Sequence, residues 1–300
     1  MDKARIKDLT RTYLPPAAAR RLRRATCRVD YRRQMRRCRA AFLRYGERYP
    51  QPLLFVAGLP KSGTTWLKKM LASYPGFHEV IVPEATLYEL DTGGSHDFEF
   101  PEDLFTRFEG RLAVLKMHAH GSPHNTRLLR EAGLPHVALY RDLRDVAVSH
   151  YFYVRRTPWH PEYARYTPLS VEEGLMTFAE TLLPDFVAWV RSWHENGDRE
   201  RRLIIRYEDL VADTECVFGS VAAHFGLDHA PETIRAVVEA HRFDRMSGGR
   251  RAGTQDAGSF FRKGVAGDWR NHFTEPVKAA FKERGGDFWV AYGYERDADW

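Results

Sequence analysis

Short apolar runs alternate with amphipathic stretches along most of the chain. Four of the apolar runs have the length and composition of strands that are buried on both faces. They lie at residues 53–57, 112–115, 136–140 and 203–207. Patterns of helical period lie between or after them, at residues 64–74, 144–154, 171–194, 213–226, 231–241 and 276–290. Strands separated by helices predict a three-layer α/β fold, with helices on both faces of a mostly parallel central sheet.

The first 50 residues follow a different pattern. They hold 16 of the 46 Lys and Arg but only 4 of the 40 Asp and Glu, a net charge of +12; the other 250 residues carry 30 basic against 36 acidic groups, or −6. Neither Gly nor Pro occurs between residues 17 and 45, and Tyr31, Met35, Cys38 and Phe42 recur at helical spacing. We therefore predict a basic helical extension over residues 1–50 and a single domain over residues 51–300.

Two interpretations of the basic extension remain open. Its apolar stripe either packs on the domain, which we favour because the stripe is narrow, or meets anionic lipid or an acidic partner through residues 17–48. The acidic balance of the remaining chain gives no support for nucleic-acid binding. Three scattered cysteines do not suit a disulfide framework or a Cys-based zinc site, and no apolar run is long enough for a membrane span. These features predict a cytoplasmic protein, with peripheral membrane contact as an option.

The first predicted strand runs into a glycine-rich turn and then a helix, from Gly58 to Leu71. Such a strand, turn and helix direct backbone N–H groups and a helix dipole at one point, which predicts a site for an anion. The two glycines have the spacing of a nucleotide P-loop, but Thr64 stands where lysine is expected and Lys61 lies inside the loop instead. No acidic strand end is placed to hold magnesium. A nucleotide kinase is therefore the weaker alternative, and a turn without ligand is another.

Three segments resemble the cytosolic-type sulfotransferases, which use 3′-phosphoadenosine 5′-phosphosulfate (PAPS). Residues 59–66 are similar to the loop of that family that binds the 5′-phosphosulfate. Residues 141–149 are similar to its 3′-phosphate motif, and residues 260–271 to the C-terminal motif that closes over the cofactor. The resemblance covers residues 53 to 295 in the family's order. It implies an O-sulfotransferase that uses PAPS, releases PAP and requires no metal.

The resemblance also implies which residues contact the cofactor. They are Lys61, Ser62, Gly63, Thr64, Thr65, Trp66, Arg141, Ser149, Tyr207, Phe243, Met246, Phe260, Phe261, Arg262, Lys263 and Gly264. Other interpretations stay open for some of them. Trp66 could be a core aromatic, Tyr207 could be buried support, and the Arg-Asp pairs at 141–142 and 144–145 could be solvated ion pairs. His241 occupies a position where the family often has a hydroxyl.

Lys116 and His118 lie two residues apart at a strand end, so their side chains project to one face. A histidine with a pKa near ~6.5 accepts a proton at neutral pH. The resemblance implies that His118 is the general base, and that Lys61 and Lys116 stabilise the transferring group and the leaving phosphate. A structural histidine is one alternative. A metal site of His118, His120 and His124 is another, which the lack of carboxylate or Cys at ligand spacing disfavours.

Residues 83–100 and 151–166 line the acceptor site in such enzymes, so the resemblance places acceptor contacts at Glu84, Phe152, Trp159 and Tyr163. Aromatic residues favour an apolar or ring-containing acceptor, whereas the arginines favour a polar one. We predict a hydroxyl-bearing small molecule, lipid or glycan as acceptor. The family's dimer motif is not matched, which leaves the oligomeric state open. A non-catalytic binder of anionic surfaces or nucleic acid, acting through the basic N-terminus, is the alternative outside enzymes.

Overall fold

A computed structural model describes residues 15–92, 96–251, 253–254 and 263–300. Its centre is a parallel sheet of five strands in the order β2-β3-β1-β4-β5. The strands are β1 (Leu53–Gly58), β2 (His78–Val80), β3 (Ala113–Met117), β4 (His136–Tyr140) and β5 (Arg202–Arg206). The four predicted strands are confirmed to within a residue or two. The short edge strand β2 was not predicted, because three residues carry too little periodicity to be recognised.

Helices surround this sheet. Those of the described residues are α1 (Pro16–Tyr45), α2 (Thr64–Leu71), α3 (Pro83–Asp91), α4 (Pro123–Glu131), α5 (Leu143–Val154), α6 (Tyr163–Tyr166), α7 (Val171–Thr181), α8 (Leu183–Asn196), α9 (Tyr207–Ala212), α10 (Thr214–His224), α11 (Pro231–Ala240), α12 (Phe243–Met246), α13 (Glu275–Gly285) and α14 (Phe288–Ala291). Short 3₁₀ turns occupy Gly46–Arg48, Thr106–Phe108 and Asp268–Asn271. The predicted α/β class is therefore confirmed.

Burial on both faces explains the continuous apolar runs. Along β1, Phe55 and Ala57 face one hydrophobic cluster while Leu54 and Val56 face the other, and all four are fully buried. Successive side chains of a strand point to opposite faces, so a strand between two helical layers needs apolar residues at every position. The sheet thus forms the middle layer of three.

The helices that follow neighbouring strands lie on opposite faces at β1. Helix α2, which follows β1, packs on one cluster through Leu67 and Met70. Helices α4 and α5, which follow β3 and β4, pack on the other cluster through Leu128 and Val146. Since the chain leaves these adjacent strands in opposite directions, a crevice opens at their carboxyl ends.

Two helices that the sequence pattern predicts as continuous are broken. Residues 171–194 form α7 and α8, interrupted at Leu182, because Pro184 cannot supply the backbone N–H that a helix interior requires. Residues 276–290 form α13 and α14, separated by Gly286, whose φ of 58° ends the helix. Helices α3 and α4 were not predicted, although each begins with a proline in its first turn, at Pro83 and Pro123.

Helix α1 packs its apolar stripe against the rest of the molecule. Cys38 is fully buried in the same cluster as β1, with Tyr31 and Met35 against it, and Phe42 contacts the cluster on the other side of the sheet. The packing interpretation of this stripe is confirmed. Within the described residues, none of the helices is long and apolar enough to cross a membrane.

Candidate active site

A cavity of about 830 Å³ opens at the carboxyl ends of β1, β3 and β4. Most of the predicted site residues lie along its wall, although they come from segments that are far apart in the chain. They are Lys61, Gly63, Thr64, Thr65, Trp66, Lys116, His118, Arg141, Ser149, Trp159, Tyr207, Phe243, Met246, Lys263 and Gly264. The crevice of a parallel sheet therefore gathers cations, hydroxyls and aromatic rings in one place.

The loop between β1 and α2 is tightly folded at one end of this cavity. Gly63 adopts a φ of 80°, and a Cβ there would lie 2.7 Å from the ring of Tyr207. Lys61 also has a positive φ, of 66°, and its ammonium lies 3.8 Å from the ring centre of Tyr153. Because Gly63 is the N-cap of α2, the free N–H groups of that helix face the cavity with the two threonines that follow. This arrangement suits an anionic group.

Arg141 lies at the end of β4, next to the loop. Its guanidinium donates to the carbonyl of Val265 at 2.8 Å and to Asp145 Oδ2 at 3.1 Å, and it stacks 4.4 Å from the ring centre of Tyr207. Its Nε is buried and has no hydrogen-bond partner within the described residues. An unpartnered buried donor of a guanidinium is a suitable partner for a phosphate. Ser149, two turns along α5, lines the same part of the cavity.

The residues between Arg141 and Ser149 hold the C-terminal segment in place. Asp145 accepts hydrogen bonds from the backbone N–H of Gly267 at 2.7 Å and of Trp269 at 2.9 Å. Arg144, only 1% exposed, pairs with Asp142 at 2.7 Å and lies 3.9 Å from the ring centre of Trp269. The alternative that these are solvated ion pairs is wrong. They are buried because they join α5 to the chain beyond residue 263.

Lys116 and His118 form a pair at the end of β3. The ammonium of Lys116 lies 2.6 Å from His118 Nε2, and His118 Nδ1 contacts the carbonyl of Gly58. Since a carbonyl only accepts, Nδ1 carries the proton and Nε2 is the basic nitrogen. Burial lowers the pKa of Lys116 to about 8, and burial followed by the charge of Lys116 lowers the pKa of His118 well below its usual value.

Helix α8 holds the segment that carries His118, which the sequence did not indicate. The indole of Trp189 donates to the carbonyl of His118 at 2.8 Å, and that of Trp193 donates to the carbonyl of Ala119 at 3.2 Å. Ser192 Oγ accepts from the backbone N–H of Gly121 at 2.9 Å. These positions lie on one face of α8, so polar atoms at helical spacing on a mainly apolar helix are the signal that could have identified them.

Some predicted residues do not reach the cavity wall. Ser62 is fully buried beneath the loop, and Glu84 pairs with Arg107 at 2.9 Å outside the cavity. Phe152 packs against the ring of Tyr151, and Tyr163 begins the short helix α6. Phe260, Phe261 and Arg262 lie outside the described residues. Lys263 lines the cavity and pairs with Asp268.

The three histidines that were considered as a possible metal site contact different partners. His118 contacts Lys116, His120 Nε2 lies 2.9 Å from Asp185, and His124 Nε2 lies 2.8 Å from the carbonyl of Phe100. Across the part of the chain that the structure describes, no group of three or more His, Cys, Asp or Glu side chains is arranged to hold a metal ion.

Several residues of the cavity wall were not predicted. Lys68 is mostly buried and pairs with Glu79 at 2.6 Å, and His150 lies 2.9 Å from the buried carboxylate of Glu162. Burial lowers the pKa of His160 to about 3. His96 and, from α1, Arg23 also line the wall. His96 and His160 fall within residues 83–100 and 151–166, which the resemblance placed around the acceptor site, although neither was named individually. Nothing in the sequence pattern indicated Lys68, His150 or Arg23.

Comparisons with known proteins agree with this geometry. The family model described as the sulfotransferase domain matches residues 51–285. Sulfotransferase 1 family member D1 of Rattus norvegicus is 30% identical over 77% of this chain and 81% of its own length, and sulfotransferase 1C2 of Oryctolagus cuniculus is 29% identical over 74% and 77%. The crystal structure of mouse sulfotransferase SULT7A1 complexed with PAP superimposes with a TM-score of 0.57 at 20% identity, over 86% of this chain and 91% of that one.

The chain belongs to the sulfotransferase domain family, and it is a sulfotransferase enzyme. This class replaces the two alternatives considered from the sequence alone, a nucleotide kinase and a non-catalytic binder. The resemblance of the three motifs predicted the family correctly.

Proposed function

We propose that this protein transfers the sulfuryl group of PAPS to a hydroxyl group of a small-molecule, lipid or glycan acceptor. The observation that carries this proposal is the convergence of Lys61, Arg141 and the Lys116–His118 pair on one cavity. Solved relatives add support: the mouse enzyme was crystallised with PAP, and a retinol dehydratase was crystallised with androsterone and PAP.

The residues fit the donor at two phosphate positions. The N-terminus of α2 with Thr64 and Thr65 suits a 5′-phosphosulfate, and Arg141 with Ser149 suits a 3′-phosphate. Gly264 has a φ of 69° and packs against Phe243 so closely that no Cβ fits between them. A glycine backbone that lies this close to an aromatic ring suits a segment that closes over a flat nucleotide base.

PAPS, when bound, supplies the electrophilic sulfuryl group. Transfer of this kind passes through a loose transition state in which negative charge builds on the leaving phosphate, as in phosphoryl transfer. We assign the stabilisation of that charge to Lys61 and the N–H groups of α2. We assign no metal to this step, because a fixed lysine supplies the positive charge.

The acceptor is activated beside the phosphate loop, where His118 contacts the carbonyl of Gly58. Nε2 of His118, with its proton on Nδ1, accepts the proton of the acceptor hydroxyl. The neighbouring ammonium of Lys116 keeps that imidazole neutral in the resting enzyme and stabilises negative charge on the transferring group. The indole of Trp66 donates a hydrogen bond from Nε1 to the carbonyl of His241 at 2.8 Å, which fixes the orientation of its ring. We assign this ring to stacking on the adenine of the cofactor.

The test is sulfate transfer from ³⁵S-labelled PAPS by the full chain to a panel of phenols, alcohols and glycosides. We expect transfer by the wild type and a loss of at least ~100-fold in kcat in His118→Ala and in Lys61→Ala. PAP affinity, measured by calorimetry, should survive in His118→Ala, since we assign that residue to the acceptor hydroxyl and not to the nucleotide. Full activity in both variants would disprove the assigned roles.

A further inference from the structure

A second imidazole, that of His96, lines the cavity beside His118. The ring of His96 lies edge-on to that of His118, with ring centres 5.8 Å apart and an interplanar angle of 83°. Both rings line the same cavity. The proposed reaction uses only one of them, so His96 has no role in it so far.

His96 is held firmly in this position. Its Nδ1 lies 3.6 Å from Asp185 Oδ2, and its ring packs at 5.3 Å against Phe186. The carbonyl of His96 accepts the backbone N–H of His120 at 3.1 Å, so the segment runs beside the residues that follow β3. A side chain fixed on several sides is pre-organised for contact with a ligand.

Asp185 determines which nitrogen of His96 faces the cavity. His120 Nε2 lies 2.9 Å from Oδ1 of Asp185, which leaves Oδ2 to face Nδ1 of His96. Nδ1 of His96 is buried, lies 3.6 Å from Oδ2 of Asp185 and has no hydrogen bond within the described residues; we assign the proton to Nδ1, towards the carboxylate. Nε2 is then the nitrogen that a ligand can meet. A carboxylate behind an imidazole is the common way of fixing a tautomer.

We propose that His96, oriented by Asp185, binds a second hydroxyl of the acceptor, adjacent to the one that His118 activates. The preferred acceptor class is then a vicinal diol, such as a sugar or a catechol, rather than an isolated alcohol. His96 is a specificity-determining residue and Asp185 a positioning residue. This inference rests on the proposed sulfotransferase reaction.

The physical basis is the cost of an unpaired polar group. A site that is built to bond a hydroxyl discriminates strongly against an analogue without it, because the buried site atom then loses its partner. With ring centres 5.8 Å apart, the two imidazoles lie close enough to contact neighbouring groups of one acceptor molecule. A monohydric acceptor leaves one of them unsatisfied.

The test uses the full-length enzyme, labelled PAPS and pairs of acceptors with one carbon skeleton: phenol and catechol, cyclohexanol and cis-1,2-cyclohexanediol, and a methyl hexoside and its monodeoxy analogue. We expect the wild type to prefer the diol of each pair by roughly 10-fold in kcat/KM. His96→Phe should lower this ratio towards unity, and Asp185→Asn should lower it in the same direction. His96→Gln, whose amide oxygen can accept a hydrogen bond as Nε2 does, should retain most of it.

The matched control is His229→Phe, at an exposed histidine away from the cavity, which should change neither the ratio nor the activity. PAP affinity reports whether each variant is folded. Equal use of diols and mono-ols by the wild type, or an unchanged ratio in His96→Phe, overturns the role of His96 and leaves the sulfotransferase reaction standing. No transfer to any member of the panel overturns the proposed reaction and this inference with it.

Discussion

The ammonium of Lys116 lies 2.6 Å from Nε2 of His118, where β3 ends. Burial is the main cause of the lowered pKa of both groups, and the charge on Lys116 lowers that of His118 further. Around neutral pH the pair therefore holds one state, with Lys116 charged and His118 neutral. In that state Nε2 of His118 is unprotonated and accepts a hydrogen bond from Lys116, which the acceptor hydroxyl must replace before the base takes up its proton.

The pH dependence of kcat/KM follows from this pair. As the pH rises past about 8, Lys116 loses its proton and its charge, so kcat/KM should fall on the alkaline side. On the acidic side, activity should persist below pH 6.5, because His118 becomes protonated only at lower pH. Initial rates at subsaturating acceptor, measured between pH 5 and 10, test both limbs. In Lys116→Arg the alkaline fall of kcat/KM should shift to higher pH, since arginine stays charged. If the fall stays at the same pH, another group causes it.

Gly63 is predicted to be essential for the phosphate loop. An alanine there adopts a φ of 80° and places its Cβ 2.7 Å from the ring of Tyr207. We expect Gly63→Ala to weaken PAP binding at least ~10-fold. It should also lower the free energy of unfolding by more than the ~1–2 kcal/mol that a left-handed backbone conformation alone costs an alanine. The measurements are calorimetric titration with PAP and urea unfolding.

The matched control for Gly63 is Gly133→Ala. Gly133 has a φ of 63° but nothing within 4 Å of its Cβ position, so it separates backbone strain from the collision. PAP affinity should be unchanged in that variant. If both variants bind PAP alike, the close contact with Tyr207 is not what the loop requires.

The buried pair of Arg144 and Asp142 is predicted to stabilise the fold rather than to take part in the chemistry. Removing the guanidinium in Arg144→Met leaves the Asp142 carboxylate buried, with the indole N–H of Trp289 and the N–H of residue 144 as its remaining donors within the described residues. We expect the free energy of unfolding to fall by about 3–5 kcal/mol. In urea unfolding, Arg191→Met, which removes the exposed pair with Asp287, should lose less than ~1 kcal/mol of the free energy of unfolding. Similar losses in the two variants would contradict the structural role.

Helix α1 is predicted to be part of the folded core. Cys38 is fully buried against the sheet, and burial raises the pKa of its thiol to about 12, whereas Cys216 is exposed. Cys38→Asp should therefore destabilise the protein by more than ~2 kcal/mol, since a carboxylate would be buried without a partner. Cys216→Asp, the same change on the surface, should stay within ~0.5 kcal/mol. Thermal unfolding of the two variants compares them directly, and equal Tm values would mean that α1 is dispensable.

The sequence by itself determined the layers, four of the five strands and the family. Short continuous apolar runs bounded by turn residues are typical of strands that are covered on both faces, and a strand, glycine turn and helix such as residues 53–71 is typical of a phosphate-binding loop. It also determined that Lys116 and His118 share a face, because strand periodicity is local.

Only the tertiary structure decided what meets across the chain. Several features depend on contacts between residues far apart in sequence. They are the burial of Arg144 and Asp145, the hydrogen bond from Trp189 to the carbonyl of His118, and the position of the His96 ring next to that of His118. No local pattern encodes such contacts. For the first 50 residues the sequence predicted a basic helical extension and favoured packing of its narrow apolar stripe, but not the surface that receives it. In the fold α1 packs on the core and exposes most of its arginines, because a narrow apolar stripe can dock a helix once a matching surface exists.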